Sequence, residues 1–204
     1  VEERFTINIT GMPPTFVGGG SDNKWTNIEN WVNKIYPEKP EKYAVILADA
    51  VIDESIQVNQ LLVSDEGSVH ITSTGGLTVG TGGIQCSKTD GSAIVIDNLH
   101  SGAGFLRVDP TYKGTMPRIT MRYQTQSTLD NGANKVAEWQ YIGAPGLNST
   151  IYVDYNTWLY KLDEPNNNWV LQPRVDSVSL DPFEGYAITQ YGQPTYEWTA
   201  DMTT

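Results

Sequence analysis

The chain has little cysteine, little positive charge and no long apolar run. Cys86 is the only cysteine in 204 residues. No disulfide can form within the chain, and one thiol cannot build a zinc cluster. Cys86 closes the apolar triad Ile84-Gln85-Cys86, which predicts a buried, inert thiol rather than a nucleophile. Lys and Arg number 13 against 24 Asp and Glu, for a net charge of −11. The basic residues form no block. Nucleic acid and anionic membranes both need a positive footprint, so neither is expected as a partner. No apolar stretch approaches the roughly 18 residues of a membrane-spanning helix, so membrane insertion is not expected. The sequence starts at Val1 rather than Met, which reads as a processed or truncated chain and is consistent with removal of a signal peptide.

Gly, Thr, Val, Ile, Tyr and Trp are prominent, a β composition. After an alternating strand at Phe5-Thr6-Ile7-Asn8-Ile9, two tryptophans, Trp25 and Trp31, sit among Asp22, Asn23, Asn27 and Asn30. They predict a plug of buried indoles beside Asx turns. From about Val45 to Val108 the chain repeats a short triad with apolar flanks: Ile56-Gln57-Val58, Leu61-Leu62-Val63, Val69-His70-Ile71, Leu77-Thr78-Val79, Ile84-Gln85-Cys86, Ile94-Val95-Ile96 and Leu106-Arg107-Val108. Glycine turns separate many of them, as at Glu66-Gly67-Ser68 and Thr74-Gly75-Gly76. Each triad reads in–out–in at strand period. One triad cannot bury its own face, whereas stacked triads can. The expectation is a short β-solenoid of about three rungs of about 20 residues each, with the Trp segment capping one end. A meander of antiparallel strands is the alternative.

Beyond Asp109-Pro110 the strands lengthen and become aromatic: Arg118 to Tyr123, Trp139 to Ile142, Ile151 to Val153, Trp158 to Leu162, Trp169 to Leu171, Val175 to Leu180 and Gly185 to Thr189. Tight turns between them, including Asn131-Gly132, predict an antiparallel sandwich-like region. The fold class is therefore all-β, a short β-solenoid or β-helix packed against an antiparallel β-sandwich-like region. Residues 1–110 form the first part and 111–204 the second.

Two stretches carry a family resemblance. The first is Trp25…Asn27…Asn30-Trp31, then Pro37 or Pro40, then Ala44-Val45-Ile46 with the glycine-punctuated triads. It resembles the opening of secreted and cell-surface β-solenoid proteins, adhesin-like, of Bacteroidetes-type bacteria. The second is Trp139-Gln140-Tyr141-Ile142…Pro145, then Trp158-Leu159-Tyr160…Glu164…Trp169 and Phe183-Glu184-Gly185-Tyr186-Ala187-Ile188. It resembles the β-sandwich module that follows in such proteins. The resemblance covers about three quarters of the chain and implies an extracellular or outer-surface location and a role in adhesion or ligand display. It carries over no functional residues.

No catalytic, metal or cofactor site is expected. His70 and His100 lack a metal-ligand partner pattern, and Gly102-Ala103-Gly104 is not a dinucleotide fingerprint. Asp97 and Asp109 directly follow apolar strands and are the carboxylates to inspect for a carbohydrate-active enzyme, which needs two in one groove. The Asp22–Asn30 loop and the Asp163–Asn168 turn are oxygen-rich but lack calcium-loop spacing. The aromatics Tyr152, Tyr155, Trp158, Tyr160 and Trp169 crowd into 18 residues. They form either a sandwich core or a platform for a glycan or other cell-surface ligand, with Asn156, Asn166 and Asn167 as polar partners. The functional expectation is a non-enzymatic module for adhesion or carbohydrate binding. The alternatives are a spacer within a larger exported protein and a lyase or hydrolase on the solenoid face.

Overall fold

The structure, a computed structural model, describes residues 12–37, 42–99, 102–124, 127–128, 136–137, 139–143, 147–151, 153, 157–175, 177–182, 184–190 and 195–201. The strand expected at residues 5–9 lies outside these. The described strands are β1 (Thr15–Phe16), β2 (Tyr43–Ile46), β3 (Asp49–Ile52), β4 (Ser55–Val63), β5 (Ser68–Ile71), β6 (Gly76–Cys86), β7 (Ile94–Leu99), β8 (Gly102–Ala103), β9 (Phe105–Val108), β10 (Arg118–Gln124), β11 (Ser127–Thr128), β12 (Val136–Ala137), β13 (Gln140–Gly143), β14 (Leu147–Ile151), β15 (Thr157–Asp163), β16 (Asn168–Leu171), β17 (Val178–Leu180), β18 (Gly185–Gln190) and β19 (Thr195–Asp201). The only helical turns among the described residues are short 3-10 segments at Ile28–Asn30, Val32–Lys34 and Glu164–Asn166. The chain is all-β.

Strands β1, β2, β4, β6 and β9 form one sheet in that order, and every pairing in it is parallel. Strands β3, β5, β7 and β10 form a parallel run in a second sheet. From β2 to β7 the chain switches sheet at every step. The β4–β6 register shifts between Val58 and Gln60, so these long strands each serve two ladders. Residues between the buried ranks stack as Val45–Leu62–Gln85, Gln57–Thr78–Arg107 and Val51–His70–Val95–Thr120, the last ending on a buried threonine. Partners within these ladders lie 17 to 29 residues apart along the chain.

Register explains the burial. Ala44, Leu61 and Ile84 share one rank, and Ala50, Val69 and Ile94 another. Ile52, Ile71 and Ile96 form a third. All nine are buried. The triads thus read in–out–in as the sequence predicts: Leu77 and Val79 are inaccessible while Thr78 between them is not. Cys86 belongs to the same interior, and desolvation pushes its thiol up from 9.0 to about 11.

The Trp segment covers the β1–β2 end. Trp25 and Trp31 are both buried and meet edge to face, with ring centroids 4.9 Å apart; Phe16 packs on Trp31 at 5.3 Å. Trp31 Nε1 donates to the Trp25 carbonyl at 2.6 Å. The Asx residues hold this plug in place. Asn30, fully buried, accepts from Gly20 N–H and donates to the carbonyls of Asp22 and Lys24. Asp22 accepts from Lys24 N–H and from the Asn27 amide, and the Asn27 bond chiefly holds its carboxyl below the usual range. The oxygen-rich loop is thus a set of internal hydrogen bonds. At the other end, Gly83 takes φ +67, and a Cβ there would enter the Tyr112 ring.

The change from parallel to antiparallel falls within one strand. β10 pairs parallel with β7 and antiparallel with β19, and the sheet continues through β14 and β17. Parallel pairing therefore runs past the Asp109–Pro117 connection that the sequence marks as the change of texture. Strands β13, β18, β15 and β16 form a separate antiparallel sheet. A second core takes Ile151, Val178 and Leu180 from the large sheet and Leu159, Tyr186 and Ile188 from the four-stranded one. Met121 of β10 packs against both cores.

Two measurements check this packing. Trp31→Ala should cost about 3–5 kcal/mol in urea unfolding, whereas Ile28→Ala, at an exposed position of the same segment, should stay within roughly 0.5 kcal/mol. Equal small shifts would detach the plug from the core. With a folded pKa of about 11, the Cys86 thiol should resist alkylation at pH 8 and react readily in urea. Because its folded pKa is raised, the thiol's contribution to stability should be intact below pH 9 and fade as pH climbs towards 11.

Candidate functional site

One face of the four-stranded sheet carries the aromatic residues. Antiparallel register aligns Tyr141, Ala187, Tyr160 and Leu171 in one row across β13, β18, β15 and β16. Side chains alternate along each strand, so Trp139, Trp158, Leu162 and Trp169 share this face. The opposite face carries Leu159, Tyr186 and Ile188, which are the residues buried in the second core. Trp158, Tyr160 and Leu162 therefore do not fill the sandwich core, one of the two roles their shared face allows. They turn outward, and Leu159 between them turns in.

Trp139, Tyr141, Tyr160 and Trp169 surround a recess of about 220 Å³ floored by Ala187. Trp139 meets Tyr160 edge to face at 5.4 Å, and Tyr141 lies tilted to Trp169 at 5.8 Å. The small side chain of Ala187 leaves the hollow. Tyr141 is 74% exposed, Trp139 45% and Trp169 38%. The exposed rings gathered in one place form an apolar patch on the surface. The recess is smaller than the 300 Å³ or so at which drug-sized pockets begin, which suits one ring-sized group.

Of the five residues that the sequence suggests, Tyr160 and Trp169 line the recess. Trp158 lies on the same face, with the Arg174 guanidinium 4.8 Å above its ring. Tyr152 and Tyr155 lie outside the described residues, as does Asn156. Asn166 donates to Asp163 at 2.8 Å, and Asn167 adopts a left-handed turn at φ 48; neither lines the recess. Trp139, Tyr141 and Ala187 were missed. The i, i+2 spacing of Trp139 and Tyr141 puts them on one face of a strand, but nothing in the sequence pairs that strand with 185–190.

The other candidates have structural partners. Asp109 accepts from the N–H and the hydroxyl of Thr111, and the hydroxyl bond chiefly lowers its carboxyl pKa. His70, an outward triad centre, lies against Asp97. Its Nε2 lies 2.8 Å from Asp97 Oδ2, off the alignment of a directed hydrogen bond, while Asp97 Oδ1 is buried without a hydrogen-bond partner. The Asp97 side chain is only 10% exposed. No group of three His, Cys, Asp or Glu side chains that could hold a metal occurs among the described residues, and no described helix is long and apolar enough to cross a membrane.

No protein-family model, curated protein or solved structure gives a significant match to this chain.

The His70–Asp97 contact yields a stability test. His70→Ala should cost about 1–3 kcal/mol, the penalty for taking a partner from a buried polar group. Asp97→Asn in the same background should recover part of it. A His70→Ala variant as stable as the parent in urea would show that the contact does not support the carboxylate.

Proposed function

We propose that this chain is a non-enzymatic, extracellular or cell-surface binding module whose aromatic recess takes a carbohydrate. The observation that carries the reading is the exposed set Trp139, Tyr141 and Trp169, with Tyr160, around Ala187. A pyranose presents axial C–H groups on one face, and these stack on the electron-rich face of an aromatic ring. Phenol and indole groups at the rim supply donors and acceptors for the hydroxyls at its edge. A flat recess of this kind orients a sugar without supplying acid–base chemistry.

In this reading the parallel half is a short β-solenoid and the antiparallel half a sandwich-like module mounted on it. The support is the three ladders, whose partners recur at rung-like intervals, and the second core shared by two sheets. The solenoid serves as a stiff mount, because its outward positions Gln57, Thr78, Arg107 and His70 share no chemistry. The resemblance to adhesin-like surface proteins of Bacteroidetes-type bacteria agrees with such a role.

A glycan array read with the wild-type chain and with Tyr141→Ala, Trp169→Ala and Trp158→Ala tests the proposal. The wild type should retain one glycan class. Loss of either recess ring should weaken retention about tenfold, or roughly 1.4 kcal/mol, and Trp158→Ala should weaken it less. A wild type that retains nothing removes the carbohydrate reading.

A further inference from the structure

Strand β16 has features that a sugar site does not use. It is the edge of the four-stranded sheet, and among the described residues no strand lies beyond it. Gln172 N–H donates to the Leu159 carbonyl at 2.8 Å. Main-chain direction alternates along a strand. Val170 therefore points its N–H and C=O towards β15, while Trp169 and Leu171 point theirs to the open edge. The side chains are equally open: Trp169 is 38% exposed, Val170 45% and Leu171 50%. Edge strands are normally blunted by Lys, Pro or a bulge. Asn168-Trp169-Val170-Leu171 contains neither residue, and its register with β15 is continuous.

The two flanks of this edge differ. The aromatic recess lies on the face of Trp169 and Leu171. On the face of Val170 is a second recess of about 500 Å³, bounded by Lys161, Asp163, Glu164, Gln172 and Glu184 among others. Lys161 is committed to Asp181 at 2.6 Å. The other charged groups of that recess are the carboxylates of Asp163, Glu164 and Glu184, so it favours cations.

We infer that β16 is a docking edge for an extended peptide segment of a partner protein in which apolar and basic residues alternate. The segment joins the sheet as a fifth, antiparallel strand, bonded to the main chain of Trp169 and Leu171. Its apolar side chains lie beside Trp169 and Leu171, and its basic ones lie over the carboxylates on the Val170 side. The inference is independent of the carbohydrate reading.

The test uses an acetylated and amidated heptapeptide of alternating valine and lysine, titrated calorimetrically into the full chain. Its controls are the valine–glutamate counterpart and the valine–lysine peptide N-methylated at every valine, which removes the N–H groups that would meet the edge. The valine–lysine peptide should bind about tenfold or more tightly than either control, a difference of at least roughly 1.4 kcal/mol. Leu171→Pro should weaken it about tenfold. The Leu171 N–H bonds to nothing in β15, so proline there removes the donor while leaving the fold's own bonds in place; circular dichroism checks that the variant folds. If it does not, the N-methylated peptide on the wild type decides alone. Equal binding of the N-methylated peptide, or of the valine–glutamate peptide, overturns the inference. So does a concentration-dependent dimer of the peptide-free chain that Leu171→Pro abolishes, because that outcome gives the edge to a second copy.

Discussion

The structure depends on in-register stacking of apolar triads. A strand of three or four residues forms few hydrogen bonds and buries little by itself. Parallel pairing without slippage sets Ala44 beside Leu61 beside Ile84, and Ile52 beside Ile71 beside Ile96. Each rank then hides the next. A slip of one residue would turn a whole triad inside out, exposing two apolar side chains and burying one such as Gln57 or His70. Burial of one Ile or Leu is worth about 1.5–3 kcal/mol, so such a slip costs more than any turn preference could recover.

A stack must end, and its ends explain two other parts of the molecule. At the β1–β2 end, Phe16, Trp25 and Trp31 cover the last apolar rank, and an Asn30-centred network satisfies the backbone groups of the loop that carries them. At the other end the parallel sheet does not stop at a cap. β10 continues it and at once begins the antiparallel pairing with β19. One strand thus belongs to both arrangements, and Met121 packs into both cores. The second half inherits its position from the first through this strand.

That position separates the two faces of the four-stranded sheet. One face meets the large sheet and is filled by Leu159, Tyr186 and Ile188. The other faces outward and holds the aromatic side chains. Their exposure contributes nothing to the core, and this is the observation on which the proposed binding role of the recess around Ala187 rests. The same geometry leaves β16 open along its length, so carbohydrate stacking would use the ring of Trp169 and strand addition its main chain.

Much of the first half was legible in the sequence. The period-2 triads and the Trp–Asx segment each follow from local rules and appear in their expected places, whereas Thr81-Gly82-Gly83, which reads as a turn between two triads, lies inside the continuous strand β6. The crowding of aromatics near 158–169 was also visible locally, but sequence alone could not choose between core and surface, because Trp158-Leu159-Tyr160 alternates equally well either way. What decided it was tertiary: β18 places Ile188 opposite Leu159 and Ala187 opposite Tyr160, and the large sheet covers only the first of these rows. The contributions of Trp139 and Tyr141 depend on a pairing between segments more than 40 residues apart. The close approach of His70 to Asp97 depends on the parallel pairing of β5 with β7. Alternation along a strand is a property of the local chain. Which alternate face meets another sheet is settled only when distant strands pack.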